Sequence, residues 1–350
     1  MKITRAMKKM LIQKTKNNTE MMKQNNSFRE ISDKLLASGS VLIYPHVNMD
    51  GDALGSAVAL CRALRDLGKS SYILIEDDIP RNLLFLDRGY CTHDQNILED
   101  VDVSLCLDCG DLSRFLKRKD KFLAGKSSIC IDHHRTTVPF CDYNYVDPEV
   151  AATGQLIYYL LKEMESCTDF RMDGEIADAI FAAITTDTGN FQYSNTTRQC
   201  HEIAAELYDL GVDVRRVSQE IYESIRQERI LLHSAAVAAM ERFAGGKAAM
   251  AVVTQDMLKQ TGAGMDETEG IVDKLRSIEG VEIAVLVKED TEKLKLSLRA
   301  KSWGNVAVIA EEFGGGGHTK AAGCSLKLPL EEGLPLIRQA VERSLQLYHE

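Results

Sequence analysis

The sequence predicts an α/β protein: a mainly parallel, doubly wound sheet joined by a helical connector to a smaller α/β domain. Three observations carry this. From about residue 28, short apolar runs alternate with amphipathic helical segments, the pattern of a parallel sheet with helices on both faces. Residues 213–243 then form a long amphipathic stretch with few helix breakers. Beyond it, strand-like runs start afresh at residue 248.

The first unit opens with "VLIYPHV" (41–47), a continuous apolar run of strand length, as expected of a strand buried on both faces. "GDALGSAVALCRALRDLG" (51–68) follows as a helix that ends at Gly68, glycine being the commonest residue just past a helix end. "SYILIE" (71–76), "DVSLCLDCG" (102–110) and "SSICIDHH" (127–134) are further strands, and helices are expected at 152–166, 173–187 and 197–210. "SNTTR" (194–198) reads as the cap of the last helix, with a substrate role for Asn195 or Arg198 as the alternative. In the second unit "AAMAVVTQ" (248–255), "VEIAVLVKE" (281–289) and "KLKLSLRAK" (293–301) are strands, and a helix follows near 331–348. The expected divisions are therefore 28–212, a connector at 213–243, and 244–350. Residues 1–27 are expected to be a disordered basic extension: the first 26 carry seven Lys/Arg against one acid, Glu20. They lack the apolar segment of a secretory signal.

Apolar residues make up 45% and charged residues 27%, a globular composition. No apolar run approaches the roughly 20 residues of a membrane helix, so the expectation is a cytoplasmic protein without membrane contact. Nine scattered cysteines, mostly inside apolar segments, suit reduced thiols. Cys106 and Cys109 form a C-x-x-C, but along an expected strand and without the second pair of a zinc site. The net charge of −10 weighs against a protein that coats long duplex nucleic acid, which needs a basic surface. It is compatible with a small phosphorylated substrate, and with carboxylates gathered around metal ions.

Ligands of an open parallel sheet bind outside the carboxyl ends of its strands, and the chemistry of this sequence collects there. The first strand ends in "HVNMDGDALGS", giving His46, Asp50 and Asp52; the third in "LDCGD", giving Asp108 and Asp111; the fourth in Asp132, His133 and His134. The helix at 173–187 runs into "TTDTGNF" and adds Asp187. Each has a plain reading of its own: Asp52 as the cap of the following helix, Asp111 as a solvated turn residue, a histidine as a hydrogen-bonded structural group. Four acids and two histidines on one sheet edge would nevertheless repel without cations. Imidazole with carboxylate suits Mn²⁺ best, then Mg²⁺ or Co²⁺. In the second unit "GGGGH" (314–318) reads either as a linker or as a loop whose backbone approaches a phosphate closely.

Taken together, "HVNMDGDALGS", "LDCGD", "IDHH" and "TTDTGNF" resemble the four motifs of the DHH phosphoesterase superfamily, in order. "SLRAK" and "FGGGGHTKAAG" are similar to the signature of the associated DHHA1 domain. The size, with both domains and little else, resembles the NrnA-type subfamily of bifunctional oligoribonucleases and 3′-phosphoadenosine 5′-phosphate (pAp) phosphatases. The resemblance implies two Mn²⁺ ions (Mg²⁺ or Co²⁺ as alternatives). One would be held by His46, Asp50 and Asp108, the other by Asp52, Asp108, His133 and Asp187, with Asp108 bridging. Asp132 would orient the histidines, and His134 would contact the phosphate or the departing oxygen. Arg299, Gly315, Gly316, Gly317 and His318 would grip the substrate. The implied substrates are short RNA oligonucleotides, pAp or dinucleotides, not long duplexes, and a homodimer is left open. The alternatives are a phosphodiesterase for pApA derived from cyclic dinucleotides and a RecJ-like single-strand exonuclease. A substrate lying between the two domains, on a chain of this charge, leads to an expected preference for RNA of roughly two to five nucleotides.

Overall fold

The computed structural model describes residues 25–290 and 293–347. The chain divides into two compact units, Met1–Ser224 and Ile225–Glu350. In the first, β1 (Ser40–Pro45), β2 (Ser70–Leu74), β3 (Cys91–Thr92), β4 (Val103–Leu107), β5 (Ser128–Asp132) and β6 (Tyr143–Val146) form one sheet. Its order is β3-β2-β1-β4-β5-β6, and every pair is parallel. This order reverses direction between β1 and β4, and a ligand crevice opens at such a switch point. The register pairs Pro45 with Leu107 and Leu107 with Ile131, so the residues just after β1, β4 and at the end of β5 lie level along one edge.

Alternation along β1 divides its side chains between two apolar layers. Val41 and Ile43 join the larger layer, against helices α1 (Phe28–Ala37), α2 (Gly51–Asp66), α4 (Thr153–Cys167), α5 (Gly174–Asp187) and α6 (Arg198–Asp209). Leu42 and Tyr44 face the smaller layer, which Phe115 and Phe122 cover from the loop around the short helix α3 (Lys119–Leu123). The helical cover is thus thick on one face and thin on the other. Two glycines set the approach of α2 to α5: a Cβ on Gly55 would stand 2.4 Å from the carbonyl oxygen of Ala179, and one on Gly51 2.4 Å from the Thr186 side chain. The close crossing brings the end of α5, Asp187, to the start of α2. Of the expected basic extension, residues 1–24 lie outside the described residues. Asn25 and Asn26 hydrogen-bond to the backbone of β6, and Ser27 caps α1.

Residues 213–243 are not a single helix. Helix α7 (Val214–Ser218) passes into a π-turn over Gln219–Glu223, the backbone leaves helical geometry at Ser224 and Arg226, and α8 (Gln227–Ala238) begins anew. Strand β7 (Glu241–Phe243) already belongs to the second sheet. No glycine or proline marks this break, which hides it from sequence reading.

The second sheet adds β8 (Ala248–Val253), β9 (Ile283–Glu289), β10 (Leu294–Ala300), β11 (Gly316–His318) and β12 (Ala321–Leu326), in the order β11-β12-β10-β9-β8-β7. Only β8 and β9 pair in parallel. Leu294, Leu296 and Leu298 point into a core shared with the final helix, Leu330–Leu347. Alternation therefore puts Lys295, Ser297 and Arg299 on the opposite face of β10. The "GGGG" segment is not a linker: it leads into β11, whose residues pair with β12. Among the described residues, no helix is long and apolar enough to cross a membrane, and all nine cysteines are free.

Candidate metal centre

His46, Asp50, Asp52, Asp108, Asp132, His133, His134 and Asp187 gather at the level edge of the first sheet. Asp108 follows β4 directly and adopts a left-handed backbone, φ 54°. A buried non-glycine residue in that region costs free energy, and such strain collects at functional sites. Its carboxylate faces two groups of side chains, one through each oxygen. Oδ2 lies 3.5 Å from His46 Nε2, which is 3.8 Å from Asp50 Oδ1. Oδ1 lies 3.5 Å from His133 Nε2, which in turn is 3.7 Å from Asp52 Oδ2 and 3.3 Å from Asp187 Oδ2.

The histidines are turned for ligation. His46 Nδ1 lies 2.8 Å from the carbonyl of Val47, and His133 Nδ1 3.4 Å from that of Val150. A carbonyl can only accept, so each Nδ1 carries a proton, and Nε2 is the nitrogen turned toward the acids. Asp132, completely buried, holds the turn after β5. Its Oδ1 accepts the main-chain N–H groups of His133 and His134 at 2.8 and 3.2 Å, and His134 Nδ1 at 2.7 Å. Thr137 donates to its Oδ2. The His134 side chain is 39% exposed, so its ring is open to solvent as well as fixed.

Burial and crowded carboxylates together set the electrostatics. Burial, followed by the charges of Asp108, Asp187 and Asp50, pushes Asp52 well above the usual carboxylate range. Burial, followed by Asp50 and Asp108, does the same to Asp187. Burial would lower His46, but its hydrogen bonds to Asp108 and Asp50 and their charges outweigh it and raise it to about 10. Burial likewise opposes the rise of His134 to about 9, driven by Asp132 and Asp108. The field thus favours positive charge, which a divalent cation supplies in concentrated form. The ligand set, carboxylate oxygen with neutral imidazole, fits such an ion on both sides of Asp108.

Several residues have structural tasks. Asp50, rather than Asp52, caps α2, accepting from Ala53 N–H at 3.0 Å. Asp111 caps the short 3₁₀ turn Leu112–Arg114. Thr197 caps α6, Arg198 pairs with Glu202, and the Asn195 amide donates to the carbonyls of Asp187 and Ala151. Sequence reading missed Thr153 and Gly154, whose N–H groups bind Asp52 at 2.7 and 2.9 Å, and the Thr153 hydroxyl, 3.0 Å from Asp108 Oδ1. The signal available was "ATG" at 152–154, opening an apolar helix with no capping side chain at Ala152.

The second-unit residues form a separate arrangement. Arg299 and His318 both pair with Ala321, from opposite sides of β12, which places them on one face two strand spacings apart, about 10 Å. Lys295 shares that face and pairs with Lys288 across β9. Arg299 Nε also lies 3.6 Å from Asp273 Oδ1. A Cβ on Gly315 or Gly317 would run into β12, whereas Gly316 has open space around it.

Comparison with known proteins matches the profile of the DHH family, N-terminal domain, to residues 40–184 and that of the DHHA1 domain to residues 245–347. The chain is 32% identical over 309 residues to the bifunctional oligoribonuclease and PAP phosphatase NrnA of Thermus thermophilus, covering 88% of this chain and 90% of that protein. A crystal structure of an exopolyphosphatase-related protein from Bacteroides fragilis superposes with a TM-score of 0.86 at 27% identity, covering 92% of this chain and 97% of that one. Exonuclease RecJ bound to manganese shares the fold, with a TM-score of 0.54 at 17% identity over 91% of this chain and 94% of that one.

Proposed function

This chain belongs to the DHH phosphoesterase family and carries a DHHA1 domain, and from that membership we propose that it cleaves short RNA oligonucleotides to mononucleotides and dephosphorylates pAp to AMP. The observation that carries the chemistry is the division of Asp108, with one oxygen toward His46 and Asp50 and the other toward Asp52, His133 and Asp187. A carboxylate so placed could serve two cations, one through each oxygen. His46, Asp50 and Asp108 would hold one ion, and Asp52, Asp108, His133 and Asp187 the other. Mn²⁺ is the ion this donor set suits best, with Mg²⁺ or Co²⁺ next. When bound, a cation pair lowers the pKa of an attacking water and neutralises charge on the phosphoryl oxygens.

The chain's own residues do the rest. Asp132 fixes the His134 ring through Nδ1, which leaves Nε2 to donate to a phosphoryl or departing oxygen. In the second unit, Arg299 offers a planar fork for a phosphate, beside Lys295 on the same face. Open space at Gly316 lets a ligand reach the outermost strand of that sheet. A panel assay tests the reading: purified protein with Mn²⁺ is offered pAp, labelled RNA dinucleotide, pyrophosphate and 20-nucleotide single-stranded DNA. The expected result is turnover of pAp and the dinucleotide well above the other two. Preference for pyrophosphate, or for the long strand, would overturn it.

A further inference from the structure

We propose that Thr153 is a positioning residue for one of the two cations only, the ion assigned to Asp52, His133 and Asp187; the inference rests on the two-cation reading above. Thr153 is completely buried and opens α4. Its main-chain N–H donates to Asp52 Oδ2 at 2.7 Å and its hydroxyl to Asp108 Oδ1 at 3.0 Å. These are the same two oxygens that flank His133 Nε2, at 3.7 and 3.5 Å. The oxygens facing the other group, Asp108 Oδ2 and Asp50 Oδ1, lie next to His46 instead. A carboxylate oxygen accepts through two lone pairs. A donor that occupies one of them fixes the direction of the other, and Thr153 does so on two of the three carboxylates of one group, Asp52 and Asp108.

The placement follows from the start of a helix. At the first helical position there is no preceding turn whose carbonyl a threonine hydroxyl can reach, whereas Thr186 and Thr188 in this chain bond back to Ala182 and Ile184. The Thr153 hydroxyl therefore goes to Asp108. Ala152 has no side-chain oxygen to satisfy the first N–H groups of α4, and Asp52 replaces it from α2, accepting from Thr153 and Gly154. The negative charge at this helix start is favourable as well. A Cβ on Gly154 would meet that of Ala183 at 2.5 Å, so the first turn of α4 is pressed against α5, which carries Asp187. One turn of helix thus sets Asp52 and one oxygen of Asp108 while contacting the helix that presents Asp187.

The test is Mn²⁺ titration of the metal-stripped full chain, with free ion followed by electron paramagnetic resonance. Wild type is expected to bind two ions. T153V removes the hydroxyl but keeps the shape and the N–H; it should hold one ion with wild-type affinity and bind the other about tenfold more weakly, as loss of an outer partner of a ligand does. T153S, which retains the hydroxyl, should restore the second ion. The preserved ion in T153V reports that the fold is intact. Equal weakening of both ions, or of neither, overturns the assignment of Thr153. A wild type that binds fewer than two ions overturns the two-cation reading itself, and the proposal with it.

Discussion

Because the oxygens of Asp108 face different groups of side chains, D108A should lower turnover by about a thousandfold, comparable to losing a principal transition-state contact. Bound Mn²⁺ should fall with it, while far-ultraviolet circular dichroism stays unchanged. An acid at the other end of β4 makes a different prediction. Hydrogen bonds from Lys126 and from the N–H groups of Gly39 and Ser40 hold Asp102 down at about 2. A carboxyl lowered in the folded state stabilises above its unfolded pKa, and that stability is lost as pH falls through the folded one. D102N should therefore cost about 1 kcal/mol at pH 7, after solvent screening. The difference from wild type in urea denaturation should shrink between pH 4 and 2. At this scale the acids and histidines were legible, since each stands where a strand or helix that the hydrophobic pattern marks begins or ends. Thr153 and Thr137 were not: their partners, Asp108 and Asp132, are set by how α4 and the loop after β5 pack, and an ordinary threonine carries no sign of it.

Among elements, the crossing of α2 and α5 is the contact on which the site depends. Placing a Cβ at Gly55 against the Ala179 carbonyl should cost 1–3 kcal/mol, in the range of overpacked cores, so G55A should lower the urea midpoint. Because the same crossing brings Asp187 to Asp52, it should also weaken Mn²⁺ binding. A variant with wild-type stability would show that the helices separate without cost. The long strands and helices followed from periodicity within a residue or two, β1, α2, α4 and α5 among them. The elements that escaped were short or lacked a pattern: β3 has two residues, β6 is the mixed "YNYV", and β11 is built of two glycines and a histidine. The latter forms a strand because β12 pairs with it, information that lies outside its own sequence. The break at Ser224–Arg226 escaped for a related reason, since no breaker residue signals it.

For the whole molecule, the assignment of chemistry to the first unit and substrate grip to the second predicts separable effects. R299A should raise KM for pAp by about tenfold, the loss of one charged hydrogen bond, while Mn²⁺ stoichiometry is unchanged; loss of metal from this variant would contradict the division. With a net charge of −10, longer strands gain little electrostatic help. A series of 5′-labelled RNAs should then show kcat/KM falling beyond roughly five nucleotides, and equal efficiency at twenty would favour a RecJ-like activity. The central claim, a cation-dependent hydrolase of pAp and short RNA, is tested most directly by phosphate release from pAp as Mn²⁺ is returned to metal-stripped protein. The account predicts no release without metal and a rise that saturates near two ions per chain. Unchanged release from the metal-free protein, or none with metal restored, would contradict it.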